Sequence, residues 1–143
     1  MTRGRADPEV VTRHVLALRR AVANLRRHSA VTAARLLPDS DLRWAVERGT
    51  QICVQNVLDI ATHIAAAAGR DAADYASAID RLAELSVIPA EFAADLRRLA
   101  GLRNVLVHAY LDLDVEVLAR VAGERLGDLE RFADLVETWL ARN

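Results

Sequence analysis

The sequence contains no lysine, so arginine supplies all 19 of its basic residues. Its single cysteine, Cys53, cannot form an internal disulfide, which indicates a reducing compartment. Only six glycines and three prolines interrupt 143 residues, and that composition favours helix over sheet. No segment has the pattern of a strand, a signal peptide or a membrane-spanning helix. These absences predict a soluble, cytoplasmic, all-α protein with no contact to a membrane.

The charges are distributed unevenly along the chain. Residues 1–30 hold seven arginines against two acidic residues, whereas the remainder holds 12 arginines against 18 acidic residues. The net charge is only −1, which is not that of a general nucleic-acid binder. The basic N-terminal segment could steer a polyanion to one face, or it could be a solvated helix surface. Both interpretations stay open at this point.

Capping residues and helical periodicity predict four main helices and one or two short ones. In chain order these are a first helix beginning at Asp7, a turn within 30–37, a second helix over 39–68, a short helix over 71–84, a helix beginning at Pro89 and a last helix beginning at Asp114. Such a series predicts an up-and-down four-helix bundle that residues 1–143 form as one domain.

Three groups suited to chemistry fall within eight residues of an otherwise apolar stretch: Arg103, His108 and Tyr110. A histidine exchanges protons near neutral pH, and an arginine offers phosphate a planar set of donors. RNA cleavage without a metal needs a base, an acid and a cation at the phosphate. His108 could act as acid or base, and Arg103 could hold the phosphate. Because one chain supplies one such histidine, two copies related by a two-fold axis would supply both.

The same residues also have structural interpretations. Arg103 continues the apolar series of its helix, so it requires an anionic partner, a hydrogen-bond network or an interface if the helix is unbroken. Arg103 could instead pair with a carboxylate at a helix end. His108 could cap a helix, and Tyr110 could pack inside the bundle.

Asp59 and His63 share one face of the second helix, on a polar stripe with Gln51 and Gln55. Two ligands do not make a metal site, and no cluster of Cys and His supplies the others. We therefore predict no metal or other cofactor, and we predict a hydrogen bond between Asp59 and His63 that supports the cleft or the bundle.

The spelling Arg-x4-His-x-Tyr resembles the signature of the HEPN superfamily, many members of which are metal-independent ribonucleases, and in particular its HepT-like toxin branch. Asn104 after the arginine fits that pattern. The other segments that carry the resemblance are 45–48, 59–64, 87–89 and 101–102. The resemblance spans nearly the whole chain. It implies an endoribonuclease in which Arg103 and His108 are catalytic, Asn104 supports them, and two copies of the motif form a composite cleft.

The resemblance also implies a partner. HepT-like toxins belong to two-gene modules in which a minimal nucleotidyltransferase of the MntA type is the antitoxin and adenylylates the motif tyrosine, here Tyr110. Cellular RNA is the implied substrate, with tRNA expected. Two other interpretations stay open: a non-catalytic helical substrate-binding subunit of a nucleotidyltransferase complex, and a dimeric helical scaffold. His108 separates them, because catalysis requires this side chain and the other two roles do not.

Overall fold

The computed structural model describes residues 6–108 and 114–143, and in these ranges all regular structure is helical. The helices are α1 (Pro8–Arg26), α2 (Ala33–Leu36), α3 (Ser40–Ala67), α4 (Tyr75–Glu84), α5 (Ala90–Leu96), α6 (Arg98–Val107), α7 (Val115–Arg120) and α8 (Leu126–Arg142), with a π-helical turn at Val121–Arg125 between the last two. The predicted all-α architecture is confirmed. No helix within these ranges is long and apolar enough to span a bilayer.

Helices α1 and α3 run antiparallel. The backbone N–H of Asp7, at the start of α1, donates to Nε2 of His63 near the end of α3 at 3.2 Å. Further along α1, the ring Nδ1 of His14 lies 2.9 Å from Oδ1 of Asn56. The start of α1 therefore lies next to the end of α3, which is the antiparallel arrangement of an up-and-down bundle.

Helices α1 and α8 are also antiparallel, and ion pairs connect them. Arg19 bonds to Asp134 at 2.7 Å and to Glu137 at 3.0 Å, while Arg26 pairs with Glu130. Acidic residues of α8 thus match part of the basic charge of the N-terminal segment. This contact favours the interpretation of that segment as a helix surface over that of a polyanion-steering patch.

The predicted helix starts at Asp7, Asp39 and Asp114 are confirmed. Each of these carboxylates accepts a backbone N–H of the helix that it begins, at 3.0, 3.0 and 2.9 Å respectively. At the other end of α3, Gly69 has φ +72°, a left-handed conformation that glycine adopts without strain.

Three other segments differ from the prediction. The last helix, predicted as one helix from Asp114, is divided into α7 and α8 by the π-helical turn at Val121–Arg125. Helix α4 begins at Tyr75 and not at Asp71, because Asp74 acts as its N-cap and accepts the backbone N–H of Ser77 at 2.8 Å. The helix predicted from Pro89 divides at Arg97 into α5 and α6. The division lets α5 pack on α4 while α6 also packs on α3.

The helices enclose a hydrophobic core to which α3 contributes most. Its buried side chains include a series that alternates steps of four and three residues: Val46, Thr50, Cys53, Val57, Ile60 and Ile64. Thr50 is the one buried polar residue in the described ranges, and its Oγ1 donates to the carbonyl of Val46 at 2.8 Å. The polar face of α3, which includes Gln55 and Asp59, contacts the motif helix α6.

Candidate active site

The motif residues lie at the C-terminal end of α6. Arg103 and Asn104 are within the helix, and His108 is its C-cap, with φ −100° and ψ 19°. The side chain of Arg103 is half-buried, whereas Asn104 and His108 are exposed. Tyr110 lies outside the described residues. The helix therefore ends where the apolar pattern stops, and His108 is exposed to solvent at its C-terminal end.

Among the described residues, the guanidinium of Arg103 contacts neutral groups. Its Nε–H donates to Oε1 of Gln55 at 3.4 Å, and its Cζ lies 5.2 Å from the ring centroid of Tyr75. Its Nη1 is 3.5 Å from Oδ1 of Asn104. In the described ranges no ion pair includes Arg103. Among the described residues, therefore, no carboxylate occupies the guanidinium, and an anion from outside could bind to it.

Gln55 connects this arginine to Asp59. The Nε2 of Gln55 donates to Oδ1 of Asp59 at 2.8 Å and lies 3.4 Å from the hydroxyl of Tyr75. Because an ionised carboxylate can only accept, it attracts the amino side of the amide and leaves the amide oxygen to Arg103. The predicted supporting role of Asp59 is therefore compatible with the geometry, through Gln55.

The predicted hydrogen bond between Asp59 and His63 is wrong. Asp59 bonds to Gln55, and Nε2 of His63 accepts the backbone N–H of Asp7. The two side chains are four residues apart, but Asp59 bonds to a residue of α3 itself and His63 bonds to the residue that precedes α1. His63 thus joins α3 to α1 and does not face the motif. Among residues 6–108 and 114–143, no three His, Cys, Asp or Glu side chains come together as a potential metal site.

An open groove with a volume of about 620 Å³ lies beside the motif. Its lining residues come from α3, α6 and the segment that leads into α4: Thr62, Ala72, Ala73, Asp74, Tyr75, Ala76, Ala100, Gly101 and Asn104. Tyr75 thus contacts the guanidinium of Arg103 and also forms a wall of the groove. This volume falls within the range of small-molecule sites in proteins.

A model of a protein family described as ribonuclease HepT-like matches residues 18–136. The chain belongs to this family. The mRNA nuclease HepT of Shewanella oneidensis is 28% identical to this HepT-like chain over 106 residues, which are 69% of this chain and 75% of the relative. The predicted membership of the HepT-like ribonuclease family is therefore confirmed.

Solved structures share the fold of the HepT-like chain. A tri-AMPylated HEPN toxin of Shewanella oneidensis, solved in complex with an MNT antitoxin, has a TM-score of 0.80 and 22% identity, and the match covers 92% of this chain and 99% of that one. YutE of Bacillus subtilis, a cytosolic protein of unknown function, has a TM-score of 0.79 and 20% identity, with coverage of 94% and 91%. The predicted HEPN-like bundle is confirmed.

Sequence reasoning did not place Gln55 or Tyr75 against Arg103. It assigned Gln55 to a polar stripe and gave Tyr75 no role in the site. One local signal was present, because Gln55 and Asp59 have the four-residue spacing that brings side chains together on a helix. The contact with Arg103 depends on how α6 packs on α3, which no local pattern indicates.

Proposed function

We propose that this HepT-like chain is the toxin of a toxin–antitoxin module and cleaves cellular RNA at a composite cleft formed by two copies. One observation carries the proposal: the half-buried guanidinium of Arg103 meets neutral groups alone among the described residues, five positions before the exposed His108. Phosphodiester cleavage requires a cation that is available to the phosphate and a side chain that exchanges protons, and Arg103 and His108 are suited to these two roles.

In the proposed reaction a base removes the proton of the ribose 2′-hydroxyl, and the 2′-oxygen attacks the adjacent phosphorus. The bond to the 5′-oxygen breaks, an acid protonates that oxygen, and the products are a 2′,3′-cyclic phosphate and a 5′-hydroxyl. Arg103 stabilises the negative charge on the phosphoryl oxygens. His108 of each copy takes one of the two proton-transfer roles, which is why the cleft needs both copies.

The surface beside the motif supports the pairing of two copies. Val105 and Val107 are 50% and 41% exposed, although the rest of the bundle buries most of its large apolar side chains. Both lie on α6 between Arg103 and His108. A second copy that covered these valines would bring its own motif close to this one.

The catalytic test compares Arg103→Ala and His108→Ala with Arg98→Ala, which removes the same charge from an exposed position of α6. We expect the first two variants to lose cleavage by about 10²–10⁴-fold or more while circular dichroism shows unchanged helicity. Arg98→Ala should retain activity. A folded His108→Ala protein that still cleaves RNA would refute the mechanism and favour a non-catalytic binding subunit.

The substrate is tested in the same assay. We propose tRNA first, whereas the Shewanella relative is named an mRNA nuclease. A tRNA pool and an unstructured messenger transcript should therefore be offered side by side. Cleavage of the transcript with tRNA left intact would replace tRNA by mRNA as the substrate without affecting the roles of Arg103 and His108.

The proposed partner is a minimal nucleotidyltransferase that neutralises the toxin. In the transfer, the phenol oxygen of Tyr110 attacks the α-phosphorus of ATP, pyrophosphate leaves, and the phenol proton passes to solvent. The support is the fold-related HEPN toxin that is itself tri-AMPylated and in complex with an MNT antitoxin. AMP two residues beyond His108 would add negative charge and bulk where RNA phosphate should bind.

Peptide mapping after incubation with the partner, ATP and Mg²⁺ tests this modification. The protein has two tyrosines, so Tyr75→Phe is the matched control for Tyr110→Phe. We expect AMP on the wild type and on Tyr75→Phe but not on Tyr110→Phe, which should stay toxic and escape neutralisation by modification. AMP on another residue would contradict the assignment to Tyr110.

A further inference from the structure

We infer that Gln55 and Tyr75 are positioning residues that hold the Arg103 guanidinium ready for a phosphate, and that Asp59 sets the orientation of Gln55. This inference rests on the proposed function of Arg103. All three supporting side chains are half-buried. Gln55 on α3 and Tyr75 on α4 contact Arg103, and Asp59 contacts Gln55. None of them belongs to the motif on α6.

The hydrogen bond that Arg103 donates to Gln55 determines which N–H donors of the arginine remain available to a ligand. A guanidinium has five N–H donors, one on Nε and four on the two Nη atoms. Gln55 occupies the Nε–H, and Asn104 makes a long contact of 3.5 Å with one Nη. The pair of Nη groups is therefore the edge that can form two parallel bonds to a phosphate.

Asp59 controls Gln55 without touching the arginine. Its carboxylate accepts a hydrogen bond from Nε2 of Gln55 at 2.8 Å, the shortest contact among these four side chains. This bond directs Oε1 of Gln55 towards Arg103. A carboxylate in direct contact with the guanidinium would cancel its charge. The neutral amide between them orients the arginine and keeps that charge for the substrate.

Tyr75 fixes the plane of the guanidinium. The ring lies below Cζ at 5.2 Å, within the distance at which a cation is attracted to an aromatic face. Its hydroxyl lies 3.4 Å from Nε2 of Gln55, so the two supports also contact each other. Tyr75 also lines the groove beside the motif, so the ring that contacts the guanidinium borders a space that a ligand could enter.

The first test is kinetic. Gln55→Leu keeps the size of the side chain but removes the acceptor for Nε–H. We expect kcat for an RNA oligonucleotide to fall by about 10–100-fold with a smaller change in KM, as expected for a displaced catalytic group. Gln51→Leu makes the same change one turn earlier, at a side chain that bonds to Arg48 and not to Arg103. Equal activity of the two variants in folded protein would overturn the inference.

The second test uses binding and does not depend on catalysis. The probe is a single-stranded RNA with a 2′-deoxy nucleotide at the cleavage site, and its affinity is measured by fluorescence anisotropy over a range of salt concentrations. Gln55→Glu should neutralise Arg103 and lower the slope of log K against log salt by about 0.7, the contribution of one phosphate contact. Gln51→Glu carries the same charge change and should leave the slope closer to that of the wild type.

Two further results separate this inference from the proposed function. In the Arg103→Ala background, Gln55→Leu should weaken RNA binding no further, because its effect passes through the arginine. Additive losses would mean that Gln55 acts elsewhere and would overturn the positioning role. Full cleavage activity of Arg103→Ala would instead refute the proposed function itself.

Discussion

The same substitution, glycine to alanine, should have opposite effects on stability at two helical positions. Gly101 lies inside α6, and a Cβ built there meets no atom within 4 Å. Gly49 lies inside α3, and its Cβ would lie 2.7 Å from Cδ2 and 2.9 Å from Cγ of Leu25 on α1. Leu25 is only 1% exposed, so it has little freedom to move away. Gly49 is thus the point of close approach between the two helices.

The magnitudes follow from these distances. Alanine is favoured over glycine in a helix interior by about 0.5–1 kcal/mol, so Gly101→Ala should stabilise the fold by that amount. At Gly49 the same gain is opposed by overpacking, which costs about 1–3 kcal/mol. We therefore expect Gly49→Ala to destabilise the protein by about 1 kcal/mol, so that the two variants differ by about 2 kcal/mol.

Urea unfolding followed by circular dichroism measures both free energies, at one protein concentration so that any association contributes equally. A third variant checks the cause. With Leu25→Ala already present, Gly49→Ala should no longer destabilise, because the clashing atoms are gone and the cavity accepts the new methyl group. If Gly49→Ala stabilised the otherwise unchanged protein as much as Gly101→Ala does, the close contact with Leu25 would not exist as described.

Three further predictions concern the assembly, the chemistry and the core. RNA cleavage should persist in EDTA, because in the proposed mechanism side chains supply the acid, the base and the cation; a requirement for added divalent metal would contradict that mechanism. Sedimentation at micromolar concentration should give a dimer, and a monomer would count against the composite cleft. Burial raises the pKa of Cys53 from 9.0 to about 12, so a thiol reagent at pH 8 should label native protein at least about 10³-fold more slowly than unfolded protein. Equal labelling rates would show that Cys53 is accessible.

Helix starts were predictable because an N-cap is a local interaction. Asp7, Asp39 and Asp114 each bond to a backbone N–H two or three residues further on. The start of α4 shows the limit of this signal. Asp71 and Asp74 are equally suitable caps by residue type, and the choice of Asp74 depends on how α4 packs on α3.

The motif was visible in the sequence, whereas the surroundings of its arginine were not. Periodicity did indicate that Arg103 needs an anion, a network or an interface, and Gln55 with Tyr75 forms such a network. Which residues form it could not be predicted, because they lie on other helices. The failed pairing of Asp59 with His63 has the same origin, since spacing shows which side chains share a face but not which partners the neighbouring helices supply.

The position of the arginine's supports on α3 and α4 has a consequence for comparing relatives. A search for Arg-x4-His detects residues of α6 alone. It cannot show whether other helices supply the side chains that position the arginine. Two chains with identical motifs should therefore differ in activity when one lacks the amide at the position of Gln55. Positions 55 and 59 should also change together during divergence, because an amide loses its fixed orientation once the carboxylate is gone. Family members that keep the fold and the whole motif but have lost activity should be recognisable because they lack the amide at position 55 or the carboxylate at position 59.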